Sequence, residues 1–150
     1  LSFTYTSYLV VNKSGDQIGE VTVPLSVGYQ ELLRSNVIGC LTSVFSRDLV
    51  KDIRMREELP MHEDYVFWLD ILRDGHRAYG IQEPLAYYRI VSGSFSRNKF
   101  RASAAQWRIY REYANLGLLP TVRYFATYAS RGVRKHLGFH RRFDCGDLAK

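Results

Sequence analysis

Residues 61–80 read MHEDYVFWLDILRDGHRAYG: two adjacent carboxylates, an aromatic and apolar run, a glycine, and the opening of a strand. Tyr65, Leu69 and Leu72, with Trp68, form one apolar stripe at the i, i+4, i+7 spacing of a helix. The pattern predicts a helix from about His62 to Arg73, stopped by Asp74-Gly75. Glu63 and Asp64 stand in its first turn, where acids complement the helix dipole and accept from its free N–H groups. The same pair has a second reading: one carboxylate as a general base, with Trp68, four residues on, as a platform for a sugar ring. Spacing alone does not choose between cap and base.

Downstream, HRAYGI (76–81) and LAYYRI (85–90) predict two short strands around a Glu83-Pro84 turn, and 91–99 has the composition of a loop. Upstream, residues 3–12 alternate and are rich in Tyr, Thr and Val, NKSGDQ (12–17) is turn chemistry, and 18–24 is a return strand stopped by Pro24. A short helix is expected over 29–36, a β-prone segment over 39–46 and a helical turn over 47–52. Two helices follow, from about Phe100 to Asn115 and from about Pro120, with a turn between them. Val122, Phe125, Ala126, Ala129 and Val133 mark the packing side of the second helix. The sum is an α/β layout with little of a parallel sheet. It divides into residues 1–99 and a C-terminal helical hairpin with a basic tail, 100–150.

The chain's 150 residues, 46% hydrophobic and 14% aromatic, suffice for one domain with a real core and exclude a disordered polymer. Cys40 and Cys145 are too few and too far apart for a disulfide framework or a metal motif. No stretch approaches the roughly 20 apolar residues of a membrane span. The net charge of +6 is concentrated at the end: residues 120–150 hold seven Lys/Arg against two Asp. An anionic partner therefore concerns the tail, whose Arg123, Arg131, Arg134, Lys135, Arg141 and Arg142 form either a solvated helix face or, across 120–142, an interfacial helix on anionic lipid. No nucleic-acid motif accompanies these charges, and no nucleic-acid partner is expected.

The order of motifs carries more than any one of them. Glu63-Asp64 before Phe67-Trp68-Leu69, then Gly75, then Tyr88-Arg89, then Ser94, Ser96 and Lys99, resembles the second half of family 2 glycosyltransferases of GT-A fold. FTYTSY, LLRSNVIGCLTSVFSRDLV and AAQWRIYREY extend the likeness over about Phe3–Arg134, toward bacterial members that build cell-surface polysaccharides such as teichuronic acid. The resemblance implies a partial GT-A fold without its N-terminal nucleotide-binding half, and sugar transfer from a nucleotide-sugar donor to a glycan or lipid-linked acceptor. It makes Asp64 the base that deprotonates the acceptor hydroxyl in an inverting transfer, with Glu63 as helper or substitute. Arg89 and Lys99 become cations for the leaving phosphates, although solvated surface charge explains them equally. Ser94 and Ser96 would bond sugar or phosphate, or simply form the turn. His62 would be an acceptor contact or an ordinary helix-start residue.

Two departures stand out: Ile90 and Val91 occupy the stretch where many relatives carry a His, and no Asp-x-Asp motif is present. The divalent cation (Mn or Mg) that the resemblance implies would therefore find its ligands outside these 150 residues. The chain, opening without Met in a strand-like segment, is expected to be the acceptor-side part of a longer enzyme, inactive alone. The implied location is cytoplasmic, peripheral on the inner face of the cell membrane. A membrane-docking or nucleic-acid-binding module without catalysis is the competing reading.

Overall fold

A computed structural model of the chain describes residues 1–56, 62–91, 99–137 and 143–144. Its elements run β1 (Phe3–Val11), β2 (Gln17–Thr22), β3 (Ser26–Val27), α1 (Tyr29–Arg34), a 3-10 turn (Cys40–Thr42), β4 (Val44–Phe45), α2 (Arg47–Val50), α3 (Glu63–Leu72), β5 (Ala78–Arg89), α4 (Lys99–Arg108), a π-helical turn (Ile109–Tyr113), α5 (Leu118–Leu137) and β6 (Phe143–Asp144). This is a mixed α/β architecture, with one sheet of order β3-β5-β1-β2-β6 and β4 paired to the start of β1.

The expected hairpin forms, with Tyr8 opposite Val21 and Leu9 opposite Glu20. Asn12 closes its turn: its Oδ1 accepts from the Asp16 amide at 2.9 Å and its Nδ2 donates to Asp16 Oδ2 at 2.9 Å, while Gly15 takes the left-handed φ of 99°.

The two strands expected at 76–81 and 85–90 are instead one strand, β5. It runs parallel to β1, pairing Thr4 with Tyr79 and Thr6 with Ile81, then Ser7 with Pro84 and Leu9 with Tyr87. The Glu83-Pro84 pair that reads as a turn is absorbed by a bulge beside the proline, which has no N–H to give a ladder. A parallel pairing between segments some 75 residues apart is invisible to local pattern, and it puts β1 and β5 at the centre of the sheet. At Gly80 the crossing chain comes very close. A Cβ there would sit 2.0 Å from the Pro24 carbonyl oxygen, and the Gly80 amide donates to Leu25 O at 2.9 Å.

One face of the sheet is covered. Phe3 and Tyr5 of β1 pack with Leu32 and Leu33 of α1, and with α3. Helix α3 is buried well beyond the expected stripe: Val66, Phe67 and Ile71 are buried as well as Tyr65, Trp68, Leu69 and Leu72. Phe45 of β4 explains part of this, because its ring meets both Phe67 and Trp68 at 5.6 Å.

The carbonyls at the C-terminus of α1 find buried partners. The Tyr65 hydroxyl donates to Leu32 O at 3.2 Å and the Tyr110 hydroxyl to Leu33 O at 2.6 Å, while Gln106 Nε2 donates to the Tyr65 oxygen at 3.3 Å. The π turn contributes to this arrangement, since Ala114 N–H bonds Ile109 O at 2.8 Å and both Ile109 and Tyr110 face the core. Asn115, at φ 51°, ends the segment two residues before the expected Gly117.

Helix α5 begins at Leu118, with Pro120 in its first turn. It packs by Tyr124 and Phe125, whose rings meet Tyr110 at 6.1 Å and Trp107 at 5.4 Å, and by the buried Thr121. Val122, Ala126 and Ala129, expected on the packing side together with Phe125, are exposed. Large aromatic rings reach across the gap to α4, so they fix the helix rotation and turn the small residues outward. The side chain of Val133 lies outside the described residues.

Candidate functional site

The mouth of α3 is built from His62, Glu63 and Asp64. His62 is the cap residue: its carbonyl takes the Val66 amide at 3.0 Å, while its side chain makes no capping bond. The capping falls to Asp64, whose Oδ1 accepts from the Tyr65 amide at 2.7 Å. All three residues are half-buried.

Burial raises the proton affinity of Asp64 above the ordinary carboxylate range. The Tyr65 amide bond opposes the shift and the Glu63 charge adds to it. Burial also lowers the His62 pKa, so the imidazole is neutral at pH 7, although the acids beside it pull the other way. His62 Nε2 is enclosed and has no hydrogen-bond partner among the described residues.

A fourth group enters from the 3-10 turn. The pKa of the exposed Cys40 thiol is raised by partial burial and by the charges of Asp64 and Glu63. No sequence pattern links residue 40 to residue 64; only the fold brings the turn to the mouth of α3.

This arrangement can hold a carboxylate of raised basicity next to solvent. The capping reading of the acid pair is met by the Asp64 bond to the Tyr65 amide. Among the described residues no group of three or more His, Cys, Asp or Glu could hold a metal ion. The divalent cation that the resemblance implies would take its ligands from outside the described residues.

The remaining expected site residues separate. Trp68 is 1% exposed, with its ring 5.2 Å from both Phe3 and Phe67. This corrects the platform reading, since a sugar cannot reach an indole whose neighbours are Phe3, Phe45 and Phe67. The i, i+4 spacing from Asp64 puts Trp68 one turn deeper on α3, and that turn is core. Its Nε1 is buried without a hydrogen-bond partner among the described residues.

Arg89 ends β5 exposed, and its Nη1 donates to Asn12 O at 3.2 Å and Lys13 O at 2.9 Å, tying the strand end to the β1–β2 turn. Ser94 and Ser96 lie outside the described residues. Lys99 opens α4, and its side chain is likewise outside them.

A cavity of about 390 Å³ opens at the opposite end of α3, lined by Tyr29, Glu31, Arg73, His76 and Arg77 among others. Its arginines are engaged: Arg77 faces Glu31 at 3.7 Å and Arg73 faces Asp70 at 3.3 Å. Nothing ties this hollow to the acid pair, one helix length away.

No protein-family model matches the chain. Similarity to individual proteins is extensive. The chain is 34% identical over 137 residues to a Bacillus subtilis (strain 168) protein named as a teichuronic acid biosynthesis glycosyltransferase, TuaG, covering 91% of this chain and 54% of that protein. It is 31% identical over 137 residues to the Escherichia coli UDP-Glc:alpha-D-GlcNAc-diphosphoundecaprenol beta-1,3-glucosyltransferase WfgD, covering 91% and 53%. It is 30% identical over 143 residues to WfaP of Escherichia coli, which bears the same enzyme name, covering 93% and 54%. The chain spans about half the length of the curated relatives it matches.

Proposed function

We propose that the chain is the acceptor-side part of an inverting glycosyltransferase of GT-A fold, which moves a sugar from a nucleotide donor to a lipid-linked glycan during cell-surface polysaccharide synthesis. The observation that carries this reading is the half-buried Asp64, of raised proton affinity, at the mouth of a helix, in a chain whose relatives at 30–34% identity are named glycosyltransferases.

In the proposed reaction Asp64 takes the proton of the acceptor hydroxyl as that oxygen attacks the anomeric carbon and the nucleoside diphosphate departs. Glu63 holds a second negative charge beside it and keeps the proton on Asp64 after transfer. The divalent cation would supply charge neutralisation at the diphosphate, from ligands outside these 150 residues. Cations of this chain near the leaving group would be Lys99 and the free edge of Arg89, with Ser94 and Ser96 bonding sugar or phosphate.

Helix α5 fits an acceptor carried on a lipid. Leu118, Leu119 and Val122 are 63%, 81% and 49% exposed at its start, ahead of a basic stretch. That supports a peripheral placement on the inner, anionic face of the cell membrane, through 120–142. Among the described residues no helix is long and apolar enough to cross a membrane.

The test is Asp64→Asn in the protein that carries this chain. Transfer to acceptor should fall by about 10²–10⁴-fold while donor binding is kept. Unchanged transfer would remove Asp64 from the base position.

A further inference from the structure

The hollow at the far end of α3 has a lining that the proposed transfer does not use. Arg73, His76 and Arg77 stand there against one carboxylate, Glu31, around about 390 Å³ of space. That volume lies within the roughly 300–1,000 Å³ of small-ligand sites.

The two guanidinium groups are anchored without being used up. Arg77 Nη2 donates to Ser26 Oγ at 3.0 Å, while its Nη1 stands 3.7 Å from Glu31 Oε1, beyond hydrogen-bond length. Glu31 is itself held, because its Oε2 accepts from the Gly28 amide at 3.1 Å. Gly28 makes room for this pair: a Cβ there would sit 3.0 Å from both Arg77 Nη1 and Glu31 Oε2. Arg73 Nη2 donates to Tyr113 O at 2.9 Å and faces Asp70. Each guanidinium has five N–H donors in a planar fork, so these contacts fix the two groups and leave donors over. Both side chains stay close to half-exposed, at 47% for Arg73 and 42% for Arg77. Two fixed arginine forks beside an exposed imidazole suit a phosphate ester, whose oxygens accept several N–H bonds at once.

The hollow also borders the apolar start of α5. Five residues after Tyr113, whose carbonyl holds Arg73, α5 opens with the exposed Leu118 and Leu119. Five residues span at most about 18 Å, and the left-handed Asn115 shortens the path. Helix α1, which brings Tyr29 and Glu31 to the lining, touches α5 as well. An α5 start set into the headgroup layer therefore holds the hollow close to lipid phosphates.

We propose that this cavity is a phosphate-ester subsite, in which Arg73, His76 and Arg77 hold the phosphate of a lipid headgroup. The lipid source rests on the peripheral membrane placement proposed for α5; the phosphate chemistry stands without it.

The experiment uses the protein that carries this chain. Calorimetry measures its binding of sn-glycerol 3-phosphate, and co-sedimentation its binding to phosphatidylcholine vesicles containing phosphatidylglycerol. Arg77→Gln should weaken glycerol phosphate binding about tenfold or more, and Arg77→Lys, which keeps the charge but loses the fork, several-fold. Lys13→Gln, an equal loss of charge at the β1–β2 turn, should stay within about twofold. Equal affinity in all these variants, or a loss confined to Arg89→Gln at the proposed leaving-group cations, overturns the subsite.

The vesicle arm separates the sources, and Arg77→Lys is its key variant because net charge is unchanged. A several-fold fall in co-sedimentation supports the lipid headgroup. Unchanged co-sedimentation, with glycerol phosphate binding lost, overturns the headgroup and assigns the subsite to a soluble ester. Wild-type protein that ignores vesicles but binds glycerol phosphate through Arg77 refutes the membrane placement and supports the phosphate subsite.

Discussion

Replacing Trp68 separates a core residue from a binding platform, and the structure sets the size of each effect. Trp68→Phe shortens a fully buried ring by about 40 Å³, and at about 24 cal/mol per Å³ the residual void costs about 1 kcal/mol. Loss of the corresponding apolar contact adds about 1 kcal/mol at about 25 cal/mol per Å². Against this stands Nε1, buried without a partner among the described residues. Removing an unsatisfied donor returns about 1–3 kcal/mol. The terms nearly cancel, so Trp68→Phe should change stability by about 1 kcal/mol or less.

Trp68→Ala has no such compensation and should lose about 3–5 kcal/mol, lowering the melting temperature by roughly 10–15 °C. Both are read by circular dichroism during thermal and urea unfolding, with acceptor KM measured alongside. An Ala variant of wild-type stability but weakened acceptor binding would show an indole facing a cleft, and would refute the packing argument.

Four further outcomes follow from other parts of the molecule. Tyr110→Phe strands the Leu33 carbonyl, reached at 2.6 Å in the wild type, and should cost about 1–3 kcal/mol in urea unfolding; a neutral change would mean that water reaches the end of α1. Burial raises the Asp64 pKa, so the stability linked to its protonation is present below the unfolded value of 3.8 and lost as pH rises through the folded one. Asp64→Asn should therefore match or exceed wild-type stability at pH 7 and lose that advantage in acid, as pH-dependent melting would show. His62 has the opposite sign: its pKa is lowered, so its contribution is present above 6.5 and lost as pH falls through the folded value, and His62→Gln should flatten that acid limb. For α5, Leu119→Gln, which leaves the net charge unchanged, should reduce co-sedimentation with phosphatidylserine-containing vesicles several-fold. Unchanged binding would leave the apolar start of α5 without a membrane role.

Much of the local structure was legible because it is governed by neighbours in the chain. The β1–β2 hairpin follows from alternation and Asn12–Asp16 turn chemistry, and α3 from its apolar period and the Gly75 stop. The acid pair and its proximity to the helix start were equally plain. The helix mouth shows the limit of that reading: the sequence placed Asp64 there, but its half-burial and the arrival of Cys40 depend on a turn 24 residues away.

The longer-range features came from packing. Glu83-Pro84 has the composition of a turn, and becomes a bulge because β1 supplies a parallel partner on either side of it. Trp68 has the spacing of a platform above Asp64, and is core because Phe3 and Phe45 close over it. On α5 the small residues have the better helical period, yet Tyr124 and Phe125 turn inward because Tyr110 and Trp107 offer rings to meet. The approach of Gly39 to the Tyr8 ring has no trace in either segment alone. Periodicity, caps and turns are properties of a few consecutive residues, so the sequence by itself determined where helices and strands lie. Which side chains meet depends on segments tens of residues apart, and only the assembled sheet and its helices decided that.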